Sequence, residues 1–248
     1  MKKVVIIPTY NEIENIGAMI ERVCALPEGF DLLVIDDGSP DGTAGAVRQA
    51  MERYGGERIH LIERSGKSGL GTAYIAGFEW ALSRGYDYVF EMDCDFSHDP
   101  NDLGRLWRAC SEGGADVAIG SRYVTGVNVI NWPIGRVIMS YYASAYVRRV
   151  LGMPVRDCTA GFVCFRAGAL RTIDLNRIRM RGYGFQIEMK YSVWKLGFRI
   201  VEVPIIFTDR TRGSSKMSSG IFGEAFWGVL RMRFRKIRPA ALPAEANL

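Results

Sequence analysis

The chain has 248 residues, of which 48% are hydrophobic and 24% are charged, and its formal net charge at pH 7 is +5. This composition excludes a disordered chain, a collagen-like chain and a small disulfide scaffold, and the length suits one sizeable α/β domain. Because the sequence contains no run of about 18 apolar residues, no transmembrane helix is predicted. Five widely separated cysteines form no paired motif, which argues against a zinc or redox site and favours a reducing compartment.

The positive charge is concentrated in one segment near the end of the chain. Residues 210–238 hold eight basic side chains and one acidic side chain, a charge of +7. The rest of the chain carries 24 basic and 26 acidic side chains, a charge of −2. Basic blocks of this kind usually bind phosphate groups of nucleotides, lipid headgroups or nucleic acids.

Strand and helix patterns alternate over roughly the first 120 residues. Apolar, β-branched runs predict strands at 3–7, 30–35, 59–63, 88–92 and 117–120. Apolar residues at helical spacing predict helices at 12–25, 43–54, 71–84 and 102–110. Asn11, followed by Glu14 three residues later, predicts a capping box for the first helix. The alternation predicts a doubly wound, mostly parallel α/β sheet that binds ligands at the carboxyl ends of its strands.

The pattern changes beyond residue 125, where longer helical stretches appear. Further helices and strands are predicted at 134–151, 162–165, 185–195 and 200–203. A last helix at 218–238 combines an apolar stripe with a basic end, and residues 239–248 are expected to form a frayed tail. The apolar stripe consists of Ile221, Phe222, Ala225, Phe226, Val229 and Leu230.

The strongest chemical signal is a pair of acidic residues, Asp93 and Asp95, at the end of the fourth predicted strand. Because side chains alternate along a strand, the two carboxylates point to the same side, about 6–7 Å apart. Two such carboxylates can hold one hard divalent cation while substrate phosphates and water complete its coordination. The alternative is a pair of solvated loop acids, which the position after a buried strand makes less favourable.

Two other loops can approach a nucleotide. Asp37 follows the second predicted strand, where a carboxylate can accept hydrogen bonds from a nucleobase or ribose. An ordinary turn is the alternative for this Asp-Gly-Ser sequence. Lys67 lies in a glycine-rich loop that matches neither a P-loop nor a dinucleotide fingerprint, because Leu61 and Tyr74 stand where those motifs need glycine. A plain flexible connection is the alternative for this loop.

Basic residues complete the set of candidate phosphate ligands. Arg122 follows the fifth predicted strand, and Arg210 and Lys216 flank a Gly-Ser segment. This arrangement suits diphosphate binding, with the Gly-Ser segment closing as a lid, and solvated surface charges are the alternative. Because His60 and His98 are the only histidines, neither a His-rich zinc site nor a His-dependent catalytic triad is expected.

Taken together, these motifs resemble those of the family 2 glycosyltransferases with the GT-A fold. Within that family they are most similar to the dolichol-phosphate or polyprenol-phosphate mannose synthases. The resemblance runs from about residue 4 to residue 218. It is carried by residues 8–12, 36–43, 67–74, 93–95, 120–123, 202–205 and 210–216.

The resemblance implies roles for individual residues. Those implied to bind the nucleotide of GDP-mannose are Pro8, Tyr10, Glu12, Ile35, Asp37, Lys67, Asp93 and Cys94. Those implied to hold Mg²⁺ or Mn²⁺ are Asp93 and Asp95. Those implied to be catalytic, through metal or phosphate, are Asp95, Arg122, Arg210 and Lys216. Further candidates are Ser97, where family members commonly carry Gln, Asp157 and Gly182.

The implied reaction is transfer of mannose from GDP-mannose to a polyprenyl or dolichyl monophosphate, as a metal-dependent, inverting single displacement that gives a β-mannosyl phosphate. Because the acceptor is already anionic, positioning and charge neutralisation suffice without a strong general base. A UDP-sugar donor and an inactive scaffold that binds sugar nucleotide and lipid are the alternatives. The implied organisation is a glycosyltransferase domain at 1–217, split into a nucleotide-sugar half (1–124) and an acceptor half (125–217), then the basic helix and the tail.

The helices at 218–238 and 134–151 are candidates for contact with an anionic membrane, because each combines apolar or tyrosine side chains with basic ones. A core helix is the alternative for each. Many family members add C-terminal transmembrane helices, and none is predicted in this sequence. The resemblance therefore implies a peripheral location on the cytoplasmic face of a membrane, reached through amphipathic helices or a partner subunit. Nucleic acid is not an expected partner, because an aromatic, apolar stripe adjoins the basic residues.

Overall fold

A seven-stranded sheet forms the centre of the structure. The structure is a computed structural model, and it describes residues 1–180, 182–210 and 221–240. In the last of these ranges, side chains are described from residue 226 onward. The strands of this sheet are β1 (Lys3–Thr9), β2 (Asp31–Asp36), β3 (Ile59–Glu63), β4 (Tyr88–Glu91), β5 (Val117–Ser121), β7 (Val163–Arg166) and β8 (Ile200–Pro204). A second, two-stranded sheet joins β6 (Val129–Ile130) and β9 (Phe207–Thr208). The helices are α1 (Ile13–Cys24), α2 (Thr43–Arg53), α3 (Leu70–Ser83), α4 (Leu103–Ser111), α5 (Ile134–Leu151), α6 (Ala167–Thr172), α7 (Tyr183–Lys195) and α8 (Ile221–Phe234).

The strands of the large sheet follow the order β3-β2-β1-β4-β7-β5-β8. Strand β1 pairs in parallel with β2 and β4, β2 with β3, and β5 with β8, whereas β7 is antiparallel to both of its neighbours. The carboxyl ends of β1, β2, β4 and β5 therefore meet at one edge of the sheet. The prediction of a doubly wound, mostly parallel sheet is confirmed.

The apolar run of β1 is buried because helices cover both faces of the sheet. Val4 and Ile6 are fully buried in one apolar cluster, to which α3, α5, α6, α7 and α8 contribute. Val5 and Ile7 are fully buried in the other, formed with α1, α2 and α4. Full burial of each such side chain contributes roughly 1.5–3 kcal/mol, which explains why this strand shows no polar alternation.

The predicted capping box at the start of α1 is wrong. Asn11 lies before the N-cap position and has a left-handed φ of 56°. The amides at the start of the helix are instead satisfied by the first residue of α2 and the loop before it. Thr43 Oγ1 accepts from the amide of Glu12, and Asp41 Oδ2 accepts from the amide of Ile13, each at 3.0 Å. A tertiary contact thus replaces the local one that the sequence pattern suggested.

The last helix packs on the body of the protein. Val229 and Met232 of α8 are 1% and 3% exposed, in contact with α5 and α7, whereas Phe226 and Trp227 are exposed. The predicted apolar stripe is therefore divided between core and surface, and its members at 221, 222 and 225 lie outside the described side chains. No helix within the described ranges is long and apolar enough to cross a membrane.

The predicted frayed tail does not begin at residue 239. Pro239 forms a bridge with Ile173, and the amide of Ala240 donates to the carbonyl of Thr172 at 2.8 Å. These contacts hold the first two residues of the predicted tail against the end of α6. Residues 241–248 lie outside the described part of the chain.

Candidate active site

The predicted site motifs meet at the carboxyl edge of the sheet because they follow neighbouring strands. The order β2-β1-β4 places the residues after these strands, Asp37, Tyr10 and Asp93, side by side. Arg122 follows β5, which is separated from β4 by the antiparallel strand β7. These residues lie together at this edge of the sheet, which is the candidate active site, and the space between their side chains is called the cleft below.

The two acids of the Asp36-Asp37 motif have different partners. Asp36 is 1% exposed, and its carboxylate accepts from Thr9 Oγ1 and from the amide and hydroxyl of Ser39 at 2.6–2.8 Å. It holds the turn after β2 and is not available to a ligand. Asp37 Oδ1 accepts instead from Arg64 Nε at 2.6 Å. The turn interpretation therefore applies to Asp36, and ligand binding by Asp37 stays a prediction.

Arg64 is a site residue that sequence analysis missed. It follows the last residue of β3, and its Nη1 donates to Thr72 Oγ1 at 2.8 Å, so that one guanidinium joins the Asp37 loop to the start of α3. The signal for it was its position directly after a predicted strand, the same signal that marked Asp37.

The other residues with an implied nucleotide role divide between cleft and core. The Lys67 ammonium lies 5.2 Å from the ring centroid of Tyr10, a cation–π distance, and Pro8 is half-buried near the end of β1. The side chain of Ile35 is fully buried in the core, and its backbone pairs with Pro8 of β1. Glu12 Oε2 accepts from Asn15 Nδ2 at 2.9 Å.

The acidic pair Asp93 and Asp95 lies at the centre of the cleft. Asp95 Oδ2 is 3.0 Å from Arg210 Nη2, and Asp95 Oδ1 accepts from the amide of Ser97 at 3.0 Å. The loss of solvent around Asp93, reinforced by the charge of Asp95, raises the pKa of Asp93 to about 7, although Arg210 opposes this shift. The thiol of Cys94 points into the core and is 3% exposed, which leaves its backbone toward the cleft.

The donor set of this pair fits a hard divalent cation that keeps open coordination positions. Both ligands are carboxylates, which Mg²⁺ and Mn²⁺ prefer, and a cation would compensate the repulsion from Asp95 that adds to burial in raising the pKa of Asp93. Within the described ranges no group of three or more His, Cys, Asp or Glu side chains could hold a metal ion. A cation on Asp93 and Asp95 would therefore take its remaining ligands from substrate and water.

Arg122 is held by the buried carboxylate of Asp157. Asp157 accepts from Nε at 2.7 Å, from Nη2 at 2.6 Å and from the Arg122 amide at 3.0 Å, and Thr159 Oγ1 lies 2.9 Å from Nη2. Burial would raise the pKa of Asp157, but the charge and hydrogen bonds of Arg122 outweigh it and hold this pKa below its usual value. Arg122 is thus a rigidly placed cation, and Asp157 supports it from below the surface.

The remaining candidates have varied positions. Ser97 is buried, and its carbonyl accepts from the amide of Thr208 at 3.1 Å, which ties the Asp95 loop to β9. Gly182 is at the N-cap of α7 with φ 52° and ψ −132°, a backbone conformation that favours glycine. Lys216 lies outside the described residues.

His98 packs as an aromatic side chain beside the acidic pair. Its ring centroid lies 5.0 Å from that of Phe162 and 5.1 Å from that of Phe207, and the residue is 2% exposed. Burial lowers the pKa of His98 to about 4, so the imidazole is neutral at pH 7.

A buried polar chain under the cleft was also missed. It consists of Glu91 at the end of β4 and Gln186 and Lys190 of α7, all at most 2% exposed. Gln186 Nε2 donates to Glu91 Oε2 at 2.7 Å, and Lys190 Nζ donates to Gln186 Oε1 at 3.0 Å. The signal was two polar residues one helical turn apart in an otherwise buried helix.

Comparison with known proteins identifies relatives across most of the chain. The family model Glycosyl transferase family 2 matches residues 4–174. An undecaprenyl-phosphate mannosyltransferase from Micrococcus luteus is 49% identical over 93% of this chain and 93% of its own length. A polyprenol monophosphomannose synthase from Mycolicibacterium smegmatis is 46% identical over 92% of this chain and 87% of its own.

Solved structures share the fold at lower identity. A glucosyl-3-phosphoglycerate synthase from Mycobacterium tuberculosis, in complex with Mn²⁺, UDP and phosphoglyceric acid, superimposes with a TM-score of 0.70. Its sequence is 18% identical, and the match covers 94% of this chain and 78% of that one. This likeness supports the fold assignment.

Proposed function

Because this chain belongs to glycosyl transferase family 2, we propose that it transfers mannose from GDP-mannose to a polyprenyl monophosphate. The observation that carries the proposal is the match, over most of both chains, to two enzymes named for mannosyl transfer to a polyprenol phosphate. The cleft supports it, because an acidic pair and two arginines lie together at the carboxyl edge of the sheet.

The nucleotide would lie across the ends of β1 and β2. Arg64 binds Oδ1 of Asp37, so that Oδ2 can accept from the donor edge of guanine or from a ribose hydroxyl. Tyr10 and Lys67 lie at the same edge, where the ring can pack against the nucleoside. A carboxylate acceptor is compatible with guanine, which presents N–H donors, but uracil also presents one, so the panel of sugar nucleotides described below decides the donor substrate.

The diphosphate would lie at Asp93 and Asp95, which would hold Mg²⁺ or Mn²⁺. When bound, the metal would neutralise the charge that develops on the departing diphosphate. The Mn²⁺ bound in the glucosyl-3-phosphoglycerate synthase structure, which shares this fold, supports this assignment. Arg210, paired with Asp95, is placed to contact the same phosphates once they enter the cleft.

The chemistry is a single displacement at the anomeric carbon of mannose. An oxygen of the acceptor phosphate forms a bond to that carbon while the bond to the diphosphate oxygen breaks, giving polyprenyl β-mannosyl phosphate and GDP. The nucleophile is already an anion, so no side chain needs to remove a proton from it. The chain's task is to orient the two phosphates, for which Arg122, held rigidly by Asp157, is suited.

Membrane contact would come from an aromatic face formed by Ile138 and Tyr142 of α5 and by Phe226 and Trp227 of α8. Tyr142 is 67% and Trp227 is 61% exposed, which is unusual for large apolar groups grouped on one surface. Tyr146 joins the two helices, since its ring stacks on Phe226 with centroids 4.8 Å apart. This face suits the interfacial zone of a bilayer, with the enzyme peripheral on the cytoplasmic side.

The proposal is tested with the purified protein, Mg²⁺ or Mn²⁺, a short polyprenyl phosphate and a panel of labelled sugar nucleotides. Label is expected in the organic phase from GDP-mannose only. Transfer from UDP-glucose instead would refute the donor assignment. No transfer from any donor would favour a scaffold that binds sugar nucleotide and lipid without reaction.

A further inference from the structure

Helix α7 is buried all round, yet it carries charged residues in its centre. Glu188 and Lys190 are both 0% exposed. A buried charge strongly destabilises a folded protein unless it is paired and hydrogen-bonded. The partners of each side chain therefore indicate the role of its charge.

The partners of Glu188 are backbone amides and an arginine that belong to the packing around α7. Its Oε2 accepts from the amides of Arg179 and Met180 at 2.9 and 2.8 Å, and Arg235 beyond α8 pairs with its other oxygen. These contacts lie on the side of α7 away from the cleft. Glu188 thus anchors the chain before α7 and the end of α8.

Lys190 has a different set, directed under the cleft. Its ammonium donates to the carbonyl of Ala160 at 2.6 Å and to Gln186 Oε1 at 3.0 Å. The amide of Gln186 then donates to Glu91 Oε2 at 2.7 Å. Gln186 thus presents its oxygen to the cation and its nitrogen to the anion, which gives the chain Ala160–Lys190–Gln186–Glu91 one orientation.

One end of this hydrogen-bonded chain lies beside the acidic pair, and the other end lies beside the residues that hold Arg122. Glu91 ends β4, two residues before Asp93. Ala160 belongs to the 157–161 segment, whose Asp157 and Thr159 hold Arg122. The segment passes directly beside the acidic pair, because a Cβ on Gly161 would lie 3.9 Å from Asp93 Oδ2.

We propose that Lys190 is a positioning residue, which fixes the 157–161 segment against the end of β4 and so sets the Arg122 guanidinium relative to Asp93 and Asp95. The inference rests on the proposed function, in which the acceptor phosphate on one side must meet the anomeric carbon on the other. Lys190 itself does not reach the cleft, since it has no exposed surface. Its effect passes through the Ala160 carbonyl.

The competing explanation is charge compensation, in which Lys190 serves only to neutralise buried Glu91. Two variants separate these explanations. Lys190→Met removes the cation and leaves Glu91 uncompensated, so its Tm is expected to fall. The double variant Lys190→Met with Glu91→Gln removes both charges, and because neutral replacements of buried ion pairs are often tolerated, its Tm is expected to recover.

The readout is mannosyl transfer, resolved into kcat and KM, together with calorimetric binding of GDP and Mn²⁺. In the double variant we expect kcat to stay about tenfold or more below wild type, as for a small misplacement of reacting groups. We expect KM for the sugar nucleotide and the affinity for GDP with Mn²⁺ to stay within about threefold, because Asp37, Asp93 and Asp95 are unchanged. Glu188→Gln, equally buried on the same helix, is the matched control and is expected to lower Tm with wild-type kcat.

Several results would overturn the inference while leaving the proposed function intact. Recovery of kcat together with Tm in the double variant would show charge compensation alone. Loss of GDP and Mn²⁺ binding would show that the hydrogen-bonded chain through Lys190 shapes the nucleotide site itself. Failure of the double variant to fold would show that Lys190 is needed for the fold. Absence of transfer by the wild-type protein would instead overturn the proposed function.

Discussion

Asp157 holds Arg122 in a bidentate pair, at 2.7 and 2.6 Å from Nε and Nη2, and the carboxylate has no exposed surface. The ring centroids of Trp132 and Phe207 lie 5.4 and 5.5 Å from the guanidinium carbon. Because the pair is desolvated and its geometry is fixed from several sides, Arg122 has little freedom to move when a phosphate enters. A fixed cation at the edge of the cleft is the kind of preorganised charge that favours transfer between two phosphates.

Removal of the Asp157 charge is expected to affect both stability and turnover. Asp157→Asn breaks a buried pair and leaves Arg122 uncompensated, which should lower the free energy of unfolding by about 3–5 kcal/mol. Urea unfolding measures this change, and kcat should fall with it because Arg122 is released. The control is Glu63→Gln in the Arg48–Glu63 pair, whose side chains are 55% and 47% exposed. That change should cost about 1 kcal/mol or less, and an equal loss in both variants would contradict the special position of Asp157.

Asp95→Asn is expected to remove most metal-dependent turnover. The substitution halves the charge of the acidic pair and weakens the ion pair with Arg210. A loss of kcat of about 100-fold or more is expected, because charge stabilisation of this kind amounts to several kcal/mol. Calorimetry should also show weaker Mn²⁺ binding in the absence of substrate. Asp87→Asn, at the amino end of β4 where the side chain is 52% exposed, should retain both properties.

Arg64→Met is expected to impair nucleotide binding more than chemistry. Asp37 would lose its 2.6 Å hydrogen bond from Nε and with it a defined orientation toward the nucleobase. Loss of one charge-assisted hydrogen bond is worth about 1.5 kcal/mol, or about a tenfold rise in KM for the sugar nucleotide. Steady-state kinetics should show kcat nearly unchanged. Arg53→Met, which removes an exposed pair with Glu21, provides the matched control, and a rise in KM there would argue against a local effect.

His98 should contribute a loss of stability in mild acid, against the opposite contribution of Asp93, whose raised pKa of about 7 favours the folded state as the pH falls. Burial lowers the pKa of His98 to about 4 in the folded state from its ordinary value of 6.5. Between these values the unfolded chain binds the proton and the folded one does not, so this stabilisation is present above pH 6.5 and is lost as the pH falls toward 4. The contribution of His98 to stability should fall by about 2 kcal/mol from pH 7.5 to pH 5.

Unfolding experiments on His98→Phe check this dependence. The phenyl ring keeps the aromatic contacts with Phe162 and Phe207 but does not titrate. The variant should therefore lose about 2 kcal/mol less than wild type over the same pH range. His60→Phe, at a partly exposed position, should retain most of the wild-type dependence. An unchanged pH dependence in His98→Phe would assign the effect to other groups.

Trp227→Ser is expected to weaken membrane binding without loss of fold. Trp227 is 61% exposed on the aromatic face, so its removal costs little packing within the protein. Co-sedimentation with anionic liposomes should drop, and high salt should weaken the binding of wild type as well. The control is Ile13→Ser, a 43% exposed apolar residue on α1, which belongs to the opposite layer. Equal recovery of wild type in the supernatant with and without liposomes would contradict the membrane proposal.

Local patterns were sufficient to predict most of the fold. The unbroken apolar run of β1 predicts a strand buried on both faces, and the structure places it in the interior of the sheet between β2 and β4. The capping box at Asn11 failed because its helix is capped by Asp41 and Thr43, from a loop that the fold brings close. The apolar stripe of the last helix was divided because α5 and α7 bury Val229 fully, whereas Tyr146 of α5 covers only one face of Phe226.

By itself, the sequence determined the α/β alternation and the residues that follow the strands, among them Asp37, Asp93 and Arg122. These features depend on neighbours a few residues away, so hydrophobic period and strand ends are enough to reveal them. Only the tertiary structure decided which charges meet. Arg122 and Asp157 are 35 residues apart, and Lys190 reaches the Ala160 carbonyl 30 residues away. Such pairs depend on strand order and on burial, which removes water as the competing partner, and no local pattern encodes either.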